Sequence, residues 1–391
     1  MAEYCVDDGG MPMGAKPRVA VIFGGRSGEH EVSLMSAAAV LGNIDRDRFE
    51  VVPVGITKEG RWLLTADPMR ELAEGVLREG GTPVALLRGA GGGAVLCATG
   101  PKSLPATVGS TGEAAGRVDV VFPVLHGPLG EDGTVQGLLE LAGVPYVGSG
   151  VLGSALGMDK VAQKGLFERH GIPGARWCAL RRRDVERDAE AAAAAESLGY
   201  PCFVKPANLG SSVGITKAHD RAGLVAGLRL AARYDRKILV EEGIDGRELE
   251  CSVLGNDDPR ASVVGEILTA REFYDYQAKY LDPRSQAVIP ADIPAEVSDR
   301  VRNLAVMAFK VLDAAGMARV DFFLERGSGR VLVNELNTIP GFTPISMYPM
   351  LWAASGVSFG ELISRLIELA IERHADQARN EVSYSARRDV D

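Results

Sequence analysis

No run of apolar residues in this 391-residue chain approaches the roughly 18 that a membrane-spanning helix needs, so no span is expected. Cysteine is scarce: Cys5, Cys97, Cys178, Cys202 and Cys251 are odd in number, scattered, and form no CxxC pair. They read as isolated reduced thiols rather than as a disulfide framework or a zinc site. Positive charge is in deficit, with Lys+Arg 43 against Asp+Glu 52 and a net charge of -9. That speaks against holding nucleic acid or an anionic membrane by bulk charge. An anionic small ligand is not excluded, because a few local cations suffice for it. The opening residues, MAEYCVDDGGMPMGAK, carry acids where a secretory signal would carry cations and then a long apolar run. A cytoplasmic location is the resulting expectation.

Several catalytic signatures are also missing. No GK[ST] of a Walker loop follows the glycine-rich stretches, and no Ser-His-Asp pattern stands out. The opening strand, glycine turn and helix suggest a dinucleotide-binding module or oxidoreductase, but Gly24, Gly25 and Gly28 do not fit GxGxxG. No internal repeat is visible.

What is present is an ordinary globular composition, 46% hydrophobic and 24% charged, over a length that suits two or three domains. After a tail over 1–16, strand Arg18–Phe23, a helical pattern through Val32, Met35, Ala39 and Val40, and strand Phe49–Ile56 open a parallel α/β layer. Residues 80–116, rich in Gly, Ala, Thr and Pro, predict irregular excursions with a short hairpin. The apolar run Val118–Leu125 stops at His126, and a helix about Leu138–Leu141 and a strand Val144–Val147 lead to a boundary near Gly150.

The second unit, 151–245, is expected to hold a helix over Met158–His170 and another over Asp184–Leu198 containing the run Ala191–Ala195. Strands Tyr200–Lys205, Gly214–Lys217 and Ile238–Glu241 surround a helix at Ala222–Ala232. The third, 246–376, alternates strands Glu248–Leu254, Ser262–Ile267, Ala318–Leu324 and Val331–Leu336 with a helix at Ala295–Ala315. Its last helix opens on a capping box, Ser358 with Glu361, and buries the stripe Leu362, Leu366, Leu369. A charged tail, 377–391, follows. The fold class is α/β followed by α+β.

Three stretches carry chemistry. In Lys205-Pro-Ala-Asn-Leu-Gly-Ser-Ser-Val-Gly214 a lysine ends an apolar strand, and a small-residue loop could bring backbone N–H groups to an anion. A plain hairpin with an incidental lysine is the alternative. In Arg319-Val-Asp321 and Asn334-Glu-Leu-Asn337 polar groups interrupt apolar strands. If those strands pair, Asp321, Glu335 and Asn337 converge as hard oxygen donors suited to Mg²⁺. Ordinary polar alternation on two surface strands is the alternative. Pro340 and Gly341 then set a rigid loop, where a backbone N–H and Arg319 could face an oxyanion. His126, alone at a strand end, is open to a structural or a functional reading.

Taken in order, GGRSGEHEVS (24–33), LHGPLGEDGTVQG (125–137), GSGVLGSALGMDK (148–160), KPANLGSSVG (205–214), EFYDYQAKY (272–280), ARVDFF (318–323) and NELNTIPGFTPISMYP (334–349) resemble the D-alanine–D-alanine ligases of the ATP-grasp superfamily, over roughly residues 18–373. The resemblance implies a three-domain ATP-grasp architecture with ATP between the second and third domains. It puts Lys160 and Lys205 on the phosphates, Glu241 and Glu242 beside adenine and Glu248 on the ribose. Position 242 is often lysine in relatives. Two Mg²⁺ (or Mn²⁺) ions fall to Asp321, Glu335 and Asn337. Glu29 and His126 would hold the first D-alanine, and Lys279 and Ser346 the second. Glu29, Ser211 and Tyr280 would tie a lid, while Arg319 and the Gly341 N–H would stabilise the tetrahedral intermediate.

The implied reaction is ATP-dependent joining of two D-alanines through D-alanyl phosphate, releasing ADP and phosphate, for peptidoglycan synthesis by a homodimer. Rival readings are a D-Ala–D-lactate or D-Ala–D-Ser ligase, which would differ in the loop carrying EFYDYQAKY (the depsipeptide formers lacking Tyr280), and a catalytically dead ATP-binding protein.

Overall fold

A computed structural model describes residues 15–64, 68–73, 81–89, 94–99, 114–185, 195–268 and 286–381. Three sheets organise them. The first contains β1 (Arg18–Gly24), β2 (Glu50–Ile56), β3 (Trp62–Leu64), β4 (Thr82–Arg88), β5 (Ala94–Ala98), β6 (Ala114–Val118) and β7 (Val120–Val124), in the order β6-β5-β4-β3-β2-β1-β7. Only β2, β1 and β7 are parallel; the rest of the sheet is antiparallel. β1 is apolar from Val19 to Phe23 because both its faces are covered there. Val19, Val21 and Phe23 enter one core, and Ala20 and Ile22 the other.

Two expectations need correcting here. The region 80–116 is not merely irregular: β4, β5 and β6 extend the sheet, their short Val, Leu and Ala alternations sitting on a half-covered face. The expected strand Val144–Val147 is reduced to one bridge between Val121 and Tyr146. Pro145 has no N–H to give a ladder, and left-handed Gly143 and Gly148 bound the segment. The helix before it runs Thr134–Ala142.

The second sheet, β8 (Trp177–Arg181), β9 (Cys202–Pro206), β10 (Thr216–Ala218) and β11 (Lys237–Glu242), is antiparallel in the order β10-β9-β11-β8. Helix Arg221–Tyr234, capped by the Asp220 carboxylate on the Gly223 N–H at 2.8 Å, lays Leu224, Leu228 and Ala231 on Val204, Ile238 and Val240. The expected helix Met158–His170 starts two residues later, running Lys160–Arg169, and Met158 instead ends a separate helix, Val151–Met158. Asp159 makes the break by turning extended and capping the second helix through the N–H groups of Val161 and Ala162, at 3.1 and 3.0 Å. Most of the expected helix 184–198, with its alanine run, lies outside the described residues.

The third sheet, β12 (Gly246–Gly255), β13 (Arg260–Leu268), β14 (Gln286–Val288), β15 (Gly316–Glu325) and β16 (Val331–Asn337), is antiparallel in the order β14-β13-β12-β15-β16. Helix Ala295–Val311 covers one face and ends earlier than expected, because Asp313 adopts a left-handed φ of 53°. On the other face, Leu254 and Met317 meet Tyr348, Trp352, Leu362 and Leu366 in the same core that holds Val19 and Phe122. The first and third sheets therefore share one core. Helix Phe359–Gln377 begins with the Ser358 hydroxyl accepting the Glu361 N–H, as its capping sequence predicts. Among the described residues no helix is long and apolar enough to cross a membrane. Residues 1–14 and 382–391, most of the expected tails, lie outside the described residues.

Candidate active site

Between the second and third sheets lies a cavity of about 540 Å³, whose lining includes Lys160, Lys205, Glu241, Glu248, Asp321 and Glu335. β9 delivers Lys205 from one side. Leu239 is its neighbour across the ladder, so Glu241, two residues on, presents its side chain to the same face. Lys205 Nζ lies 2.7 Å from Glu241 Oε2, and Lys164 pairs with Oε1 of the same carboxylate. Burial alone would raise the Glu241 pKa, but the two ammonium groups pull it down to about 2. Lys205 is raised correspondingly, Glu241 and Glu335 outweighing the burial that opposes its charge. Glu242 does not join this group: its carboxylate takes the Arg176 N–H at 2.8 Å and the guanidinium at 2.6 Å.

Opposite, β15 and β16 pair as the metal reading requires, Asp321 against Glu335 and Arg319 against Asn337. Asn337 Nδ2 donates to Asp321 Oδ2 at 3.2 Å, and Lys160 Nζ sits 3.2 Å from Glu335 Oε2. Arg319 is forked between Asp321, at 2.7 and 2.8 Å, and Glu250, at 2.9 Å. Among the described residues no three His, Cys, Asp or Glu side chains form a metal cage. Two carboxylates and an amide remain, all hard oxygen donors without a thiol. That set suits Mg²⁺, which takes few protein ligands and completes its shell with phosphate and water.

A second focus forms where the first sheet meets the loop after β9. Ser211 and Ser212 both adopt left-handed φ, 49° and 60°, and this turn brings the Ser211 hydroxyl onto the Glu29 carboxylate. Holding two non-glycine residues there costs about 1–3 kcal/mol each and concentrates at working sites. The Glu29 N–H donates to Ser27 Oγ at 3.0 Å, and Ser27 Oγ donates to the His126 carbonyl at 2.7 Å. His126 is buried, which lowers its pKa against the pull of Glu29. Its ring closes a circuit. Phe342 N–H donates to Ser36 Oγ at 3.2 Å, Ser36 Oγ lies 3.1 Å from His126 Nε2, and Nδ1 lies 3.2 Å from the Ile339 carbonyl. A carbonyl only accepts, so Nδ1 carries the proton and Nε2 receives that of Ser36. The segment carrying Gly341 is thus held from both ends. Ser346 takes the Thr343 N–H at 3.0 Å and caps the loop's far end.

Lys279 and Tyr280 lie outside the described residues. Four side chains at the site escaped the sequence reading: Lys164, Glu250, Ser36 and Glu131. Lys164 stands one helical turn after Lys160, and Glu250 alternates with Glu248 on an otherwise apolar strand. Those spacings were the available signals. Glu131 accepts the Gly127 N–H at 2.7 Å and is pushed up to about 8 by burial and then by the Glu29 charge.

Two family models match the chain: D-ala D-ala ligase N-terminus over residues 18–149 and D-ala D-ala ligase C-terminus over 166–368. A D-alanine--D-alanine ligase of Acetivibrio thermocellus is 52% identical over 374 residues, covering 94% of this chain and 99% of that protein. The solved D-alanine-D-alanine ligase from Coxiella burnetii superimposes with a TM-score of 0.78 at 37% identity, over 93% of this chain and 96% of that one. The VanG D-Ala:D-Ser ligase from Enterococcus faecalis gives 0.77 at 38%, over 91% of this chain and 100% of that one. Matched by both models and by relatives over nearly its whole length, the chain belongs to the D-alanine–D-alanine ligase family and has its ATP-grasp fold.

Proposed function

We propose that this protein is an ATP-dependent ligase that joins two D-alanines into D-alanyl-D-alanine for peptidoglycan synthesis. The observation that carries it is a cationic and carboxylate-lined cavity between two sheets, in a chain 52% identical to a D-alanine--D-alanine ligase. A carboxylate oxygen of the first D-alanine bonds to the γ-phosphorus of ATP while the β–γ bridge breaks and ADP leaves. Lys160 and Lys205 screen the approach of the two anions. The second D-alanine's amine attacks the acyl carbon, phosphate departs, and the amine loses a proton. Arg319 and the Gly341 N–H hold the oxyanion, the latter positioned by the Ser36–His126 circuit.

Glu29 takes the first ammonium group, with His126 near its carboxylate, and Lys279 and Ser346 receive the second substrate. Ser211, Glu29 and Tyr280 tie the lid that excludes water. Glu241 and Glu248 serve adenine and ribose. Glu242 lines the cavity while its carboxylate holds Arg176, and in this reading it stands beside adenine.

Asp321, Glu335 and Asn337 would hold two Mg²⁺ or Mn²⁺ ions, which supply Lewis-acid charge to the transferring phosphoryl group. Glu335→Gln is expected to abolish metal-dependent turnover while shifting Tm by no more than about 2 °C. Near-normal turnover would remove the metal assignment.

The three-domain division 17–150, 151–245 and 246–376 is supported by one sheet in each unit. A homodimer is part of the proposal; light scattering should give twice 41.4 kDa, and a monomer mass at working concentration would refute it. The free thiols of Cys97, Cys178, Cys202 and Cys251 support a cytoplasmic site of action, which fractionation would test.

The deciding experiment is ADP release with Mg-ATP and D-alanine, L-alanine, or D-alanine plus D-lactate or D-serine, with products weighed by mass spectrometry. Dipeptide from D-alanine alone is expected. A depsipeptide or D-Ala–D-Ser as main product would move the protein to the other branch of the family, and nucleotide binding without any turnover would leave a dead ATP-binding protein.

A further inference from the structure

One buried carboxylate in the cavity is shared by two lysines. Glu241, 3% exposed, lies between Lys205, on the strand β9, and Lys164, on the helix Lys160–Arg169. Lys164 is itself buried, at 5% exposure, and its ammonium group also reaches the Asn334 carbonyl at 3.3 Å, one residue before Glu335. A lysine this buried has no route to solvent and holds its charge through such partners. It is therefore anchored on both sides, to the second sheet by Glu241 and to the third by β16. Lys205 differs: its ammonium group faces the cavity and is the one that nucleotide phosphates would claim.

We infer that Lys164 is a positioning residue that keeps Glu241 neutralised when nucleotide arrives, so that Lys205 is released from Glu241 to the phosphates. The inference rests on the ATP-binding reading of the cavity. Moving Lys205 off Glu241 in a chain without Lys164 would strand a buried carboxylate, which is among the more costly events in a protein interior. Lys205 would then stay on Glu241, and the phosphates would lose one cation. With Lys164 in place the carboxylate keeps one partner throughout, and Lys205 exchanges one anion for another. The same lysine, through Asn334, fixes the strand that carries Glu335 against the helix that carries Lys160.

The test is a cycle of full-length variants, Lys164→Met, Glu241→Gln and the double variant, with Lys164→Arg as the charge-conserving control. Binding of Mg-ATP and of adenosine is measured by calorimetry, and folding by Tm. Lys164→Met is expected to weaken Mg-ATP by about a hundredfold and adenosine by no more than about threefold. The double variant, which no longer has a carboxylate to hold Lys205, should recover at least about tenfold of the Mg-ATP loss. Lys164→Arg should stay within about tenfold of the wild type.

Equal loss of adenosine and Mg-ATP in Lys164→Met would show a packing role and overturn the inference. So would a double variant no better than Lys164→Met. If Lys164→Met does not fold, Glu241→Gln answers instead: it should bind Mg-ATP at least as tightly as wild type relative to adenosine, and selective loss of Mg-ATP would overturn the inference. Wild-type protein that binds no Mg-ATP would refute the functional reading itself, a distinguishable outcome.

Discussion

Glu131 holds a carboxyl group in an unusual state. Part of the residue reaches solvent, but the carboxyl is surrounded by protein beside Glu29, and its pKa is pushed up to about 8. An unfolded glutamate titrates near 4.5. Below that pH both states are protonated and the group is indifferent to folding. As pH rises from about 4.5 to about 8 the unfolded chain loses its proton while the folded one keeps it, so folding stability falls across that window. Above it the loss is constant, on the order of a few kcal/mol. Glu131→Gln should therefore raise Tm by several degrees at pH 8.5 and change it little at pH 4.5. An equal shift at both pH values would reject the assignment.

Tyr280 is tested on the same scale. Tyr280→Phe takes away the hydroxyl proposed to tie the lid; a hydrogen bond of that kind to a charged group is worth about 1.5–3 kcal/mol, so kcat should fall about 10- to 100-fold while nucleotide affinity holds. Unchanged kcat would dismiss the lid role. The Glu29–Ser211 contact, across 182 positions of sequence, is the part of that proposed tie that lies within the described residues.

Among elements, the short helix Lys160–Arg169 depends most on a single residue. Asp159 caps it through two backbone N–H groups and also pairs with Lys237 of β11. Asp159→Ala should cost about 1–2 kcal/mol and raise the KM for ATP, because Lys160 is the first residue of the helix it starts. A lower Tm with unchanged KM would mean that the cap holds the helix without aiming Lys160.

That residue also marks what the sequence makes legible. Asp before Lys160 has the chemistry of a cap, yet the expected helix begins at Met158, two residues ahead of the start that the cap fixes. The pairing of Asp321 with Glu335 could be foreseen because both strands are apolar and interrupted by polar residues of one period. The fork of Arg319 to Glu250 could not, because it depends on which strand lies on the other side of β15. Lys164 is a similar case: a lysine on a helix is normally solvated, and only the approach of β16 buries it. The strands between 82 and 118 were hidden by their composition, since Gly, Ala and Pro carry weak β signals unless a neighbouring strand supplies the ladder. His126 was visible as a strand-end histidine, but Ser36 and the Ile339 carbonyl come from 90 and 213 residues away.

At the scale of the whole molecule, the first and third sheets are welded by one core, whereas the four-stranded sheet has a core of its own. The cavity lies at the junction of the second sheet with the third, so nucleotide bound there bridges two separately packed bodies. A ligand in that position stabilises by mass action.

The cations of the cavity have a consequence for how the protein meets its solvent. Lys160, Lys205 and Arg319 each stand against a protein carboxylate, Glu335, Glu241 and Asp321 with Glu250. Paired in this way, they have less need of small ions from the buffer. A polyanion that lands on bare lysines frees bulk counterions and is loosened steeply by salt. Here a nucleotide arriving with its metal swaps partners that the chain itself supplied, as in an internal ion exchange. The logarithm of the ATP KM plotted against the logarithm of KCl concentration, at fixed Mg²⁺, should therefore have a slope below about one. A slope of two or more would mean that the cavity is ionically open to the medium. An internally balanced site of this kind lets an acidic protein recruit an anionic cosubstrate without depending on the ionic strength around it.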